Sequence, residues 1–199
     1  MSTHESIYLA SRSPRRLQLL MQIGIKPIVI ESNVMELQLP SEAAPDYANR
    51  IALNKAEAGW EIAEKMLSLP VIAADTIVVC EDRILGKPRD REDAIATLNL
   101  LSGRTHQVIT AVAIKNATKT RQCLVESEVT FAHLTASQIE FYWNTGEASD
   151  KAGAYGIQGL AAAFISRLKG SYSAVAGLPL YETSVLLRDF GIKVLGPDK

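Results

Sequence analysis

The sequence predicts a mixed α/β fold, and three observations carry that expectation. Val71 to Val79 is a nine-residue apolar run with the length and β-branched content of a buried strand. Ile7-Tyr8-Leu9-Ala10-Ser11 is a short apolar strand that passes straight into a helix opened by Pro14. Two long strand-like segments, Val108 to Ile114 and Cys123 to Phe131, flank a polar turn near Asn116-Ala117-Thr118.

The other elements follow in order. Ser13 stands at the N-cap before Pro14; Leu17, Leu20 and Met21 recur at helical spacing, and Gly24 ends the helix. Ile28-Val29-Ile30 is a second strand. Pro45 to Leu67 reads as a long helix with Tyr47, Ile51, Ala58, Ile62 and Met66 toward the core, broken by Pro70. After the central strand, Glu81-Asp82-Arg83 turns the chain and Ile84-Leu85 pairs back. Asp90 caps a helix carrying Ala94, Ile95, Leu98 and Leu101, closed by Gly103. Thr135 with Gln138 forms a capping box for a helix through Ile139, Tyr142 and Trp143. Leu160 to Leu168 reads as a strand, and Pro179 opens a last helix with Val185, Leu186 and Phe190 inward. No repeat or linker divides the 199 residues, so one domain is expected, its two lobes built on one continuous sheet with a cleft between.

Composition narrows the function. Apolar residues make up 47% of the chain and the net charge is −1. That charge provides no broad positive field for nucleic acid or an anionic membrane. Cys80 and Cys123 read as buried free thiols of a reducing compartment. The polar start, including His4, lacks a signal-peptide pattern, and no apolar run is long enough to span a bilayer; a cytoplasmic protein is expected. His4, His106 and His133 show no paired metal spacing, and no Gly-x-Ser-x-Gly or Cys/His arrangement supplies a covalent nucleophile.

The chemistry gathers at four places. Asp75 and Thr76 interrupt the most apolar strand, and a buried carboxylate needs a metal, a proton-transfer role or a compensating cation. Ser11-Arg12-Ser13-Pro14-Arg15-Arg16 joins a strand to a helix. Its arginines oppose the positive end of the helix dipole, which points to a bound anion such as phosphate. Lys87, between Gly86 and Pro88, is a second phosphate contact, and Glu36 with Asp75 could hold a hard divalent ion. In Asp150 to Gly159, three glycines in seven residues allow close approach of a ligand, with Tyr155 to stack or hydrogen-bond and Gln158 to read a base edge. Together these suggest water attack on a phosphoanhydride. Each has a plainer alternative: surface arginines on a capped helix, a solvated lysine, a loop acid, a strand hydroxyl and a glycine turn.

Taken in order along the chain, Leu9 to Arg16, Ala74 to Val78, Gly86-Lys87-Pro88, Leu101 to Val108, Asp150 to Gly159, Gly170-Ser171-Tyr172 and Gly177-Leu178-Pro179 resemble the Maf-like nucleoside triphosphate pyrophosphatases from end to end. The resemblance implies an α/β fold with an extended bent sheet flanked by helices around a central cleft, similar to the inosine triphosphatase group. It implies hydrolysis between the α and β phosphates, a divalent cation (Mg²⁺ or Mn²⁺) and a homodimer. By position, Asp75 matches the catalytic proton acceptor. Arg15, Thr76 and Gln158 match positions tied to base choice; Ser11, Arg16, Glu36, Lys55 and Lys87 match polar residues of the family's cleft. Asp75-Thr76 with Tyr155-Gly156-Ile157-Gln158-Gly159 resembles the subfamily acting on dTTP and UTP, with modified pyrimidine nucleotides as further candidates. The alternatives are the 7-methyl-GTP subfamily and a nucleotide-sensing regulator of septum formation without turnover. The −1 charge and the lack of an aromatic-basic platform disfavour a nucleic-acid-binding module.

Overall fold

The computed structural model describes residues 6–194. The strands are β1 (Tyr8–Ala10), β2 (Ile28–Ile30), β3 (Val71–Cys80), β4 (Arg83–Leu85), β5 (Thr105–Lys115), β6 (Thr120–Phe131) and β7 (Ile165–Lys169). The helices are α1 (Pro14–Gln22), α2 (Ala44–Ala63), α3 (Arg91–Leu101), α4 (Ala136–Asn144), α5 (Tyr172–Val175) and α6 (Leu180–Asp189). The strands hydrogen-bond into one seven-stranded sheet in the order β2-β1-β3-β5-β6-β7, with β4 beside β3. β1 runs parallel to both β2 and β3, whereas β4 on β3 and β7 on β6 are antiparallel. The sheet is mixed, and the fold is α/β as expected.

The chain forms two compact units, and β3 passes from the first to the second after Asp75. The first contains the described parts of Met1–Asp75 and Gly177–Lys199, with Thr110–Val125. Its core is made by β1, by Val71 to Ala74 and by the buried stripe of α2, which includes Ala48, Ile51, Ala52 and Ala56. Gly59 lets α2 sit close on the sheet: a Cβ there would come within 2.8 Å of Ala10 Cβ and Val71 Cγ1. The second unit is Thr76–Ile109 with Glu126–Ala176. Its core includes Val78, Leu98, Leu101, Phe131, Tyr142 and Phe164, among them the edge-to-face aromatic pairs Phe131–Tyr155 and Tyr142–Phe164.

The local signals correspond to observed geometry. Asp90 accepts from the Asp93 N–H, and Thr135 and Gln138 close a full capping box. Ser13 is the N-cap of α1, but its hydroxyl makes no cap bond. Four expectations need correction. Leu160–Phe164 is a 3₁₀ turn and only Ile165–Lys169 is strand; the run Ala161-Ala162-Ala163 has poor β propensity, and apolar content alone could not separate the two. α2 ends at Ala63, short of the exposed Met66, and Ile62 is exposed on the helix. Val185 also faces outward, with Leu187 taking the buried place in α6. Cys80 is buried, but Cys123 only partly so; both are free. No described helix is long and apolar enough to cross a membrane. His4 lies outside the described residues.

Candidate active site

In the first unit the strand-to-helix turn is built around Arg16. Its Nη1 donates to Ser11 Oγ at 3.2 Å and its Nε to the Gly177 carbonyl at 3.0 Å, while the Ser13 N–H donates to Ser11 Oγ at 3.2 Å. Half-buried Arg16 and Arg15 therefore stand in the first turn of a helix that has no acid there. Desolvation lowers the Arg16 pKa; the Asp75 and Glu36 charges oppose this and Arg15 adds to it. A cation held at cost beside a helix N-terminus suits an anionic ligand. Arg12 is exposed.

Asp75 lies deep in β3, and its compensating cation is Lys55 of α2. Lys55 Nζ is 2.8 Å from Asp75 Oδ1 and 2.8 Å from Glu36 Oε1. Asp75 and Lys55 are almost wholly enclosed, whereas the Glu36 side chain is 48% exposed. One ammonium thus gathers a buried and a half-exposed carboxylate. The segment carrying Glu36 has no regular structure of its own and is held by α2. Tyr47 Oη donates to the Glu36 carbonyl at 3.2 Å, and Arg50 Nη2 donates to the Leu37 carbonyl at 2.9 Å. Arg50 also grips both Glu42 oxygens, at 2.6 and 2.7 Å, which holds the Glu42 pKa down at about 2. Burial raises the Tyr47 pKa to about 12, with the Asp75 and Glu36 charges adding to it.

The two carboxylates are hard oxygen donors converging on one cation, a donor set that fits Mg²⁺ or Mn²⁺. Among the described residues no group of three or more His, Cys, Asp or Glu could hold a metal ion. A divalent ion there would complete its shell with waters and phosphate oxygens, as Mg²⁺ commonly does.

In the second unit Thr76 is half-buried, and Lys87 and Gln158 are exposed. The Gly153 N–H donates to the Gly86 carbonyl at 3.1 Å, tying the Lys87 turn to the glycine-rich segment. Gly153 (φ 69°) and Ala154 (φ 58°) are successive left-handed residues. The alanine stores roughly 1–2 kcal/mol of backbone strain in that bend. Tyr155 is buried and bonds His106 Nε2 at 2.8 Å, so it serves the core and is not presented for stacking on a base.

The structure therefore brings Ser11 to Arg16 and Glu36 to Lys55 to Asp75, and links the Lys87 turn to the segment of Gln158. Reading the residues one by one missed Lys55, which entered only through the resemblance. Its signal was available: with Ile51 and Gly59 it occupies i and i±4 on the buried stripe of α2, where a lysine needs an anion. The Tyr47 and Arg50 hold on the Glu36 segment had no local signal, since its acceptors are backbone carbonyls.

The Maf-like family model matches residues 6–190. The chain belongs to the Maf family. This Maf protein is 50% identical to the dTTP/UTP pyrophosphatase of Saccharophagus degradans over 94% of its own length and 90% of the relative's. The dTTP/UTP pyrophosphatase of Pseudoalteromonas atlantica is 50% identical over 91% and 95%; that of Escherichia coli O157:H7 is 49% identical over 93% of both chains. The Staphylococcus aureus Ham1 structure aligns with 64% of this Maf protein and 72% of its own chain, at 21% identity and a TM-score of 0.43. The α/β assignment stands on the strand order, not on that likeness.

Proposed function

We propose that this Maf protein is a nucleoside triphosphate pyrophosphatase that hydrolyses dTTP and UTP to the monophosphate and pyrophosphate. The observation that carries the chemistry is the buried Asp75 joined through Lys55 to Glu36. A cation-compensated carboxylate pair has little purpose in a protein that only binds nucleotide, which argues against a turnover-free regulator. The relatives named dTTP/UTP pyrophosphatase support the choice of base.

In this reading Asp75 accepts a proton from the water that attacks the α phosphorus. A new P–O bond forms there, the α–β bridging bond breaks, and pyrophosphate leaves with the bonding electrons. Arg16 and Lys87 hold phosphate oxygens, with Ser11 fixing the Arg16 fork. Lys55 orients Asp75 through their 2.8 Å ion pair, and Arg15, Thr76 and Gln158 read the pyrimidine edge. Glu36 and Asp75 would hold the divalent ion, which when bound neutralises phosphate charge as a Lewis acid. The family's homodimer is also proposed for this chain; its mass would be twice the 21.7 kDa protomer.

The test is pyrophosphate release from dTTP, UTP, CTP, dATP, GTP and 7-methyl-GTP with Mg²⁺ or Mn²⁺, in wild type and Asp75→Asn. We expect turnover of dTTP and UTP, and a loss of about 10²–10⁴-fold in the variant, the usual cost of removing a general base. Turnover confined to 7-methyl-GTP would keep the reaction and overturn the base. Tight binding without turnover would favour the regulator.

A further inference from the structure

The turn that presents Gln158 is anchored at both feet by one small network. Gly156-Ile157-Gln158-Gly159 is closed by a hydrogen bond from the Gly159 N–H to the Gly156 carbonyl, 3.1 Å. The Gly156 N–H donates to Tyr142 Oη at 3.2 Å, and the Leu160 N–H donates to Glu147 Oε2 at 2.9 Å. Tyr142 Oη in turn donates to Glu147 Oε1 at 2.9 Å. The carboxylate therefore holds one foot of the turn directly and the other through the tyrosine hydroxyl.

Both ends of this network are stiff. Tyr142 is fully buried in α4, packed edge-to-face on Phe164. Glu147 lies just beyond the helix, and Lys151 Nζ donates to its backbone carbonyl at 2.6 Å. The glycines at the feet are the residues that make room. A Cβ on Gly159 would collide with the Glu147 carboxylate, and one on Gly156 would meet Lys151 Cε at 2.8 Å. Between these anchors only Gln158 points outward; Ile157 is buried, and both line a cavity of about 440 Å³ with Arg167 and Tyr172.

We propose that Glu147 and Tyr142 are positioning residues that set pyrimidine selectivity by fixing the Gly156–Leu160 turn and hence the reach of the Gln158 amide. This rests on the reading that Gln158 meets the base. An amide discriminates the O4/N3–H edge of uracil from the amino/N3 edge of cytosine only if it is held in place. Misplacement by about 1 Å can cost up to ~10²-fold.

The experiment compares kcat/KM for UTP and CTP in wild type, Tyr142→Phe, Glu147→Gln, Gln158→Ala and the double variant of the last two. Each single variant should lower the UTP-over-CTP ratio about tenfold or more, through KM more than kcat. Glu147→Gln should change the ratio no further once Gln158 is alanine, because the glutamate acts through it. An unchanged ratio in Tyr142→Phe and Glu147→Gln with UTP turnover retained would overturn the inference alone. So would a Glu147→Gln effect of the same size in the Gln158→Ala background. Should Glu147→Gln fail to fold, Tyr142→Phe, which keeps the ring in the core, decides. A wild type that turns over neither dTTP nor UTP would refute the functional reading and this inference with it.

Discussion

Lys55 shows how one residue can stabilise a site and make it useful. Its ammonium offsets two carboxylates that would otherwise repel each other inside the fold. Replacing it with the similarly long Met removes the ammonium paired with the enclosed Asp75, at a cost of about 3 kcal/mol. Thermal unfolding should record that loss. If Glu36 and Asp75 hold a divalent ion, Mg²⁺ should restore more stability in Lys55→Met than in wild type, because the ion replaces the missing charge. Equal stabilisation of both proteins would remove these acids from the metal site. The same logic made Asp75 the most legible residue of the chain: an acid in an apolar strand always needs a reason. Glu36 had no such signal, because an acid in a polar loop is ordinary until its partner is known.

At the scale of elements, close approach matters as much as periodicity. α2 meets β1 and β3 at Gly59, where the Ala10 Cβ leaves no slack because it is attached to the strand backbone. Helix propensity favours replacing a mid-helix glycine by about 1 kcal/mol at most. Overpacking against a fixed neighbour costs about 1–3 kcal/mol and grows with side-chain size. Gly59→Val should therefore destabilise by about 2–3 kcal/mol in urea unfolding; a neutral or stabilising result would mean that the helix lifts off the sheet without cost. Elements with chemical punctuation, such as the Thr135–Gln138 capping box and the Asp90 cap, were legible in the sequence. Leu160–Phe164 was not: an apolar, alanine-rich run carries no period that distinguishes a 3₁₀ turn from a strand.

For the whole molecule, His106 ties stability to pH. It is buried against Phe131 and Tyr155, its Nδ1 has no partner, and desolvation pulls its pKa from the ordinary 6.5 to about 4. The unfolded chain therefore takes up this proton first as pH falls. The stability is fully present above about 6.5, is lost progressively toward 4, and the loss levels off below that. The full effect is about 3 kcal/mol. Urea unfolding at pH 7 and pH 4 should show a smaller acid loss for His106→Gln than for wild type. An identical loss would mean that the imidazole is protonated in the folded protein.

The sequence by itself determined the α/β class, the order of most elements, the family and the central acid. Those depend on local rules: periodicity, capping, turn chemistry and the anomaly of a charge among apolar residues. Tertiary structure decided what each polar residue faces. The Lys55 bridge joins positions 36, 55 and 75, and the Glu147 network joins a helix to a turn. Such partnerships depend on how separate elements pack, and no single segment encodes them. It also decided that Ile62 and Val185 face outward, because a helix has more apolar positions than its neighbours can cover, and that α2 stops before the exposed Met66.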